Sequence, residues 1–234
     1  MGKRIIGNMP SCEIEIKSLL GNRERAEKLR RDMQTLDPSA ICHTRSKQLN
    51  HYFVGGDISK LRATLAHTFS PEDQKKLSDM LERGKDFSIR TRLIDDRNLL
   101  FVVKASLDEG SSHNTISRLE FEAPVTGMRI EELDQLLLDA GFRYQAKWSR
   151  EREEYSYKSA TVCLDKNAGY GYLAEFEKVV DDTAEIPLAK QSLEGFMREL
   201  GVEELPQERL ERMFAYYNSH WPEYYGTDKI FVVQ

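Results

Sequence analysis

The chain has 234 residues, 40% hydrophobic and 31% charged, with a formal net charge of −5 and a pI near 5.7. That apolar content suffices for a core that folds alone, while the acidic balance excludes a general nucleic-acid surface, because nonspecific phosphate binding needs a basic face. Cys12, Cys42 and Cys163, three thiols without CxxC spacing, exclude a disulfide framework or zinc knuckle and read as reduced buried thiols. No run approaches the roughly 18 apolar residues of a spanning helix, and the opening MGKRIIGNMPSC lacks the apolar centre of a signal peptide. A cytoplasmic protein with no membrane or nucleic-acid partner is expected.

Along the chain, CEIEIKSL (12–19) alternates polar and apolar, the period-two signature of a strand with one charged face. Asn22 then caps a charged helix, RERAEKLRRDMQTL, whose apolar side is Ala26, Leu29 and Met33. A strand is expected around 48–54. Gly55-Gly56 opens a helical insertion, 55–86, in which Ser70-Pro71-Glu72-Asp73 starts a helix. FSIRTRLID and NLLFVVKASL read as a hairpin about the turn Asp95-Asp96-Arg97-Asn98. After a polar loop come the strand ISRLEFEAPV, an amphipathic helix over 129–140 ended by Gly141, and three more strands through VV at 179–180. Helices over about 187–200 and 206–218 follow, with an aromatic cluster of Phe214, Tyr216, Tyr217 and Trp221 that suits packing better than base stacking.

The charges within the strands carry the functional signal. Same-parity positions collect Glu13, Glu15 and Lys17; Arg90 and Arg92; Lys104; Arg118, Glu120 and Glu122; Arg150 and Arg152; and Glu175 and Glu177. Any one such pair suits a solvated face. Together they form blocks of carboxylates and cations that an antiparallel sheet closed into a barrel turns inward. Carboxylates hold hard divalent cations through oxygen, and Arg and Lys clamp phosphoryl oxygens. The mixture suits a metal-bound polyanion.

EIEIK, the RTR of FSIRTRLID, VVKAS, RLEFE, RERxxY and the DxxxGxGxxAEFE block resemble, in order and over roughly residues 12–180, the CYTH family of triphosphate tunnel enzymes. The resemblance implies an α+β fold with a closed eight-stranded antiparallel β-barrel, a tunnel with surrounding helices. Residues 1–234 are taken as one domain, with 186–234 packed on the barrel as C-terminal helices; the helical segment 55–86, read from the residues alone as an insertion, departs from the resemblance and is longer than a typical connection. The resemblance also implies that Mg²⁺ or Mn²⁺ is held by Glu13, Glu15, Glu120, Glu122, Asp165, Glu175 and Glu177. The triphosphate is gripped by Lys17, Arg90, Arg92, Lys104, Arg118, Arg150 and Arg152, and Lys17, Glu122 and Arg152 are the candidate catalytic residues. Tyr52 is placed in the core in preference to the site. The family's usual Lys-x-Arg is here Arg150-Glu151-Arg152, with Lys147 off register, so a lysine donating a proton to the leaving group is missing. Family members often dimerise through the barrel's outer face.

Three functions follow. One is hydrolysis of inorganic triphosphate or a small organic triphosphate, thiamine triphosphate or a nucleotide. The second is a class IV adenylyl cyclase making cyclic AMP from ATP; cyclases of this type carry a His-Phe pair ahead of ExExK, where this chain has GNMPSC. The third is a non-catalytic polyphosphate or nucleotide sensor, which would not need so many carboxylates. Hydrolysis is preferred. His43, His51, His67, His113 and His220 show no metal-ligand spacing and receive no role.

Overall fold

The computed structural model describes residues 12–65, 68–83, 85–106, 118–180 and 182–232. Eight strands form one antiparallel sheet: β1 (Cys12–Gly21), β2 (Ile41–Gly55), β3 (Lys85–Ile94), β4 (Asn98–Ser106), β5 (Arg118–Val125), β6 (Phe142–Tyr157), β7 (Ala160–Asn167) and β8 (Gly171–Val180). The sheet order is β1-β8-β7-β6-β2-β3-β4-β5.

β1 and β5 are therefore edges, and no pairing joins them among the described residues, so the expected hydrogen-bonded closure into a barrel is not made.

The expected hairpin is β3–β4, its turn carrying Asp95 and Asp96 at φ 53° and 56°, a conformation Asp adopts more readily than most residues. β2 begins at Ile41, well before the expected 48. Its first half does not alternate, yet the 16-residue β6 offers it a partner along its length, from Ile41 opposite Ser156 to Gly55 opposite Phe142.

Helices α1 (Arg23–Leu36) and α5 (Ile186–Glu199) bury Ala26, Leu29, Met33, Ala189, Leu193 and Met197 against Ile14, Ile16, Val162 and Phe176. The 55–86 segment contributes α2 (Ile58–Leu65) and α3 (Pro71–Arg83); with α4 (Ile130–Asp139) they cover the opposite half, on Phe101, Val103 and Phe121. α6 (Gln207–Tyr224) runs six residues beyond the expected end at 218, past Pro222 in its last turn, where the Tyr225 N–H still bonds the Trp221 carbonyl at 2.8 Å. Among the described residues no helix is long and apolar enough to cross a membrane.

Gly171, at the β7–β8 turn, has φ +77°, and a Cβ there would lie 2.1 Å from the Gly21 carbonyl oxygen. Only glycine lets β1 and β8 meet at this end. Gly171→Ala is expected to destabilise the chain by at least about 2 kcal/mol, combining left-handed strain with a backbone overlap; the midpoint of urea unfolding measures it.

Candidate functional site

One face of the sheet carries the alternating charges, because each apolar neighbour in β1 and β8, Ile14, Ile16, Ala174 and Phe176, is buried under α1 and α5. At one end of this face stand carboxylates. Ligand oxygens of Glu13, Glu15 and Glu177 lie within 4.8 Å of one another, and so do the Cys163 Sγ and oxygens of Glu175 and Glu177. Lys17 contacts Glu15 and lies 3.3 Å from Glu175.

The centre of the face is held by guanidiniums. Arg152 donates to both oxygens of Asp165, Nε at 2.7 Å and a terminal nitrogen at 2.6 Å, and also reaches Glu175. Arg150 donates to Asp165 at 2.8 Å and to Gln48 at 2.9 Å. Asp165 is 1% exposed, so these charge-assisted bonds are what make its burial tolerable. Further along, Arg92 donates to Asn50 at 2.9 Å and, reaching across β4, to Glu122 at 3.1 Å; Arg90 donates to the Tyr52 hydroxyl at 2.8 Å. Lys104 is half-buried on the same face of β4. Backbone pairing sets Arg118 opposite Ser106 and Glu120 opposite Lys104; the side chains of Arg118 and Glu120 lie outside the described residues.

The far end is closed by aromatic packing. Trp148, one alternation beyond Arg150, meets Tyr217 at 4.2 Å, Phe214 at 5.1 Å and Tyr170 at 5.7 Å between ring centroids, and Leu19, Leu173 and Leu205 complete the cluster.

Titration follows this layout. Burial raises the Glu177 carboxyl to about 7, and the neighbouring charges of Glu175 and Glu13 add to the rise. For Glu175, burial is outweighed by Lys17, Arg152 and Arg150, which hold its pKa far below the carboxylate range. Arg92 falls to about 10 through burial and the adjacent Arg90. Burial, reinforced by Glu177, Glu175 and Asp165 and opposed by Arg152, raises the Cys163 thiol well above its ordinary value.

The donor set fits a divalent cation. Glu13, Glu15, Asp165, Glu175 and Glu177 set five carboxylates against the three cations Lys17, Arg150 and Arg152, leaving two negative charges when Glu177 is ionised. Four of the expected ligands, Glu13, Glu15, Glu175 and Glu177, come together in this way. Asp165 instead faces two arginines, and Glu122 faces Arg92. Sequence reasoning missed three contributors: Cys163, whose parity with Asp165 could have found it, and the polar partners Gln48 and Asn50. Tyr52, assigned to the core, is half-buried against the site, its hydroxyl accepting from Arg90.

The chain is thus an α+β scaffold whose eight-stranded antiparallel sheet carries cations and carboxylates on one face. The CYTH domain model matches residues 77–209, more than half of the sequence, and the chain belongs to the CYTH family. The matched stretch begins in α3, so the EIEIK strand lies ahead of it. Members of the family are typically metal-dependent enzymes and include triphosphatases. Among solved structures the chain is similar to the PH1819 protein of Pyrococcus horikoshii OT3, with 26% identity and a TM-score of 0.57 over 87% of this chain and 99% of that one. It is also similar to the PH1012 protein of the same organism, with 21% identity and a TM-score of 0.56 over 82% and 92%. A candidate adenylate cyclase of Vibrio parahaemolyticus, with 12% identity and a TM-score of 0.54 over 87% and 98%, shares the fold. No curated protein matches the sequence.

Proposed function

We propose that this protein hydrolyses inorganic triphosphate or a small organic triphosphate, thiamine triphosphate or a nucleotide, with Mg²⁺ or Mn²⁺ held by Glu13, Glu15, Glu175 and Glu177. The observation that carries the proposal is segregation on one face. Arg90, Arg92, Arg150 and Arg152 lead along it to a carboxylate group with excess negative charge.

A divalent cation held by these glutamates would supply charge neutralisation and acidify water. The chain supplies orientation. Arg90, Arg92, Lys104 and Arg118 grip the distal part of the phosphate chain, with Glu122 orienting Arg92. Arg150, Arg152 and Lys17 stabilise charge that develops during phosphoryl transfer, the dominant requirement in a reaction with little covalent work for the protein. Arg150 occupies the position where the family usually has lysine. A guanidinium does not release a proton near neutrality, so the leaving oxygen is stabilised as an anion by this residue, which suits a phosphate or pyrophosphate leaving group. Trp148, Phe214 and Tyr217 pack on one another, which favours a substrate without a base, such as inorganic triphosphate, over a nucleotide.

Phosphate release and cyclic-nucleotide formation, measured in parallel from tripolyphosphate, thiamine triphosphate and ATP with Mg²⁺ or Mn²⁺, test the reading. Phosphate from any of them supports it; cyclic AMP with pyrophosphate from ATP replaces it with the cyclase; no product from any replaces it with a sensor. Arg90→Ala and Arg92→Ala are each expected to weaken tripolyphosphate binding by about 1.5–3 kcal/mol, the range for hydrogen bonds to charged groups, as read by titration calorimetry in metal-free buffer. Unchanged affinity in both would remove the arginines from the grip.

A further inference from the structure

Directly behind the arginine pair lies a second polar cluster that the proposed chemistry does not use. Asp134 of α4, 1% exposed, accepts from Thr91 Oγ1 at 2.7 Å on one oxygen, and from the Tyr144 hydroxyl at 2.7 Å on the other. The second oxygen also lies 2.6 Å from His51 Nδ1 and 3.7 Å from Lys147 Nζ. His51 Nε2 is 2.7 Å from the hydroxyl of Tyr225, the residue that caps α6. His51 and Thr91 are as deeply buried as the carboxylate. Burial alone would raise the Asp134 carboxyl, but hydrogen bonds from His51, Thr91 and Tyr144 outweigh it and keep the group ionised.

The register explains what this cluster is attached to. On paired β2 and β3, Asn50 stands opposite Arg92, His51 opposite Thr91, and Tyr52 opposite Arg90. Successive side chains in a strand point to opposite faces. The outer two pairs therefore hold the guanidiniums at the front, through Asn50 and Tyr52. The middle pair turns to the back, where one carboxylate binds both of its members. Arg90 and Arg92 carry like charge on one face of β3, separated by a single residue, so the placement of their side chains depends on the groups that hold them. A buried ionised carboxylate contributes little net stability compared with apolar packing, and its best-attested benefit is a defined geometry.

We propose that Asp134, acting through His51 and Thr91, is a positioning residue that fixes the spacing of Arg90 and Arg92 for gripping a polyphosphate chain. This rests on the anion-binding function proposed for that face. None of the three touches the ligand; they set the backbone and rotamers of the residues that do.

The test is a double-mutant cycle read by calorimetry, with tripolyphosphate and, separately, orthophosphate as probes in metal-free buffer. Thr91→Val keeps shape and removes the donor to Asp134; Asp134→Asn removes the charge. Each is expected to weaken tripolyphosphate binding roughly tenfold, the size of an ordinary coupling between contacting residues, while orthophosphate, too short to span both arginines, binds as before. In an Arg90→Ala/Arg92→Ala background Thr91→Val should have no further effect, an outcome that a merely structural role would not produce. Should Asp134→Asn fail to fold, Thr91→Val carries the test alone. Folded Thr91→Val protein with wild-type tripolyphosphate affinity, or an equal loss with and without the arginines, overturns the inference. A wild type that binds no tripolyphosphate overturns the functional reading itself.

Discussion

Arg152→Met will destabilise the chain by about 3–5 kcal/mol, the cost of leaving a buried charge without its partner. Two carboxylates depend on this guanidinium. Asp165 is almost wholly buried and receives two of its three short hydrogen bonds from Arg152; Glu175, 9% exposed, is its second partner. Methionine fills similar volume, so the expected loss is electrostatic and not a packing defect. Arg150 and Lys17 remain, which sets the effect at the lower end if Asp165 swings toward Arg150. Arg152→Lys, which restores charge without the planar fork, should recover part of the stability and little of the tripolyphosphate affinity. Urea unfolding of the three proteins decides the point. A methionine variant as stable as wild type would contradict the electrostatic layout proposed for the face.

The second large effect concerns Glu177. In the metal-free folded chain its carboxyl stands at about 7 against an ordinary 4.5, so between those values the folded state binds a proton that the unfolded state has released. The sign follows: stability falls as pH rises through that window, and the loss is complete above about 7. A shift of this size corresponds to about 3 kcal/mol. Glu175 moves oppositely; its lowered pKa adds stability that is present above 4.5 and disappears only in strong acid, so the window from 4.5 to 7 belongs to Glu177. Glu177→Gln, which cannot titrate, should therefore be more stable than wild type at pH 8 in chelator, with the difference vanishing near pH 4.5. Mg²⁺ or Mn²⁺ at pH 8 should raise the melting temperature of wild type more than that of Glu177→Gln. Thermal melts across pH, with and without metal, measure both; a difference that grows toward acid would contradict the sign, and metal without effect would count against the carboxylates as ligands.

Much of the site was legible because a strand exposes its two faces at alternate positions. Ile14 and Ile16 in β1, and Ala174 and Phe176 in β8, are as apolar as the intervening Glu13, Glu15, Glu175 and Glu177 are charged, so parity alone separates core from site. The hairpin turn at Asp95-Asp96 and the α1 stripe were legible for similarly local reasons. What depends on pairing was not. The first half of β2 has no alternation and is a strand because β6 lies beside it. Among the described residues β1 and β5 do not pair, which no local pattern records. Asp165 shares the parity of a carboxylate ligand, yet two arginines claim it. The link from Asp134 to His51 and Thr91 joins α4 to β2 and β3 across 83 and 43 residues of sequence, beyond the reach of any motif.

Orthophosphate release from inorganic tripolyphosphate with Mn²⁺ at pH 8, by wild type and Glu15→Gln side by side, tests the central claim most directly. Hydrolysis by wild type, lost in a Glu15→Gln variant that still folds and still binds tripolyphosphate, is the predicted result. Equal hydrolysis by both proteins would contradict it, as would no hydrolysis by wild type.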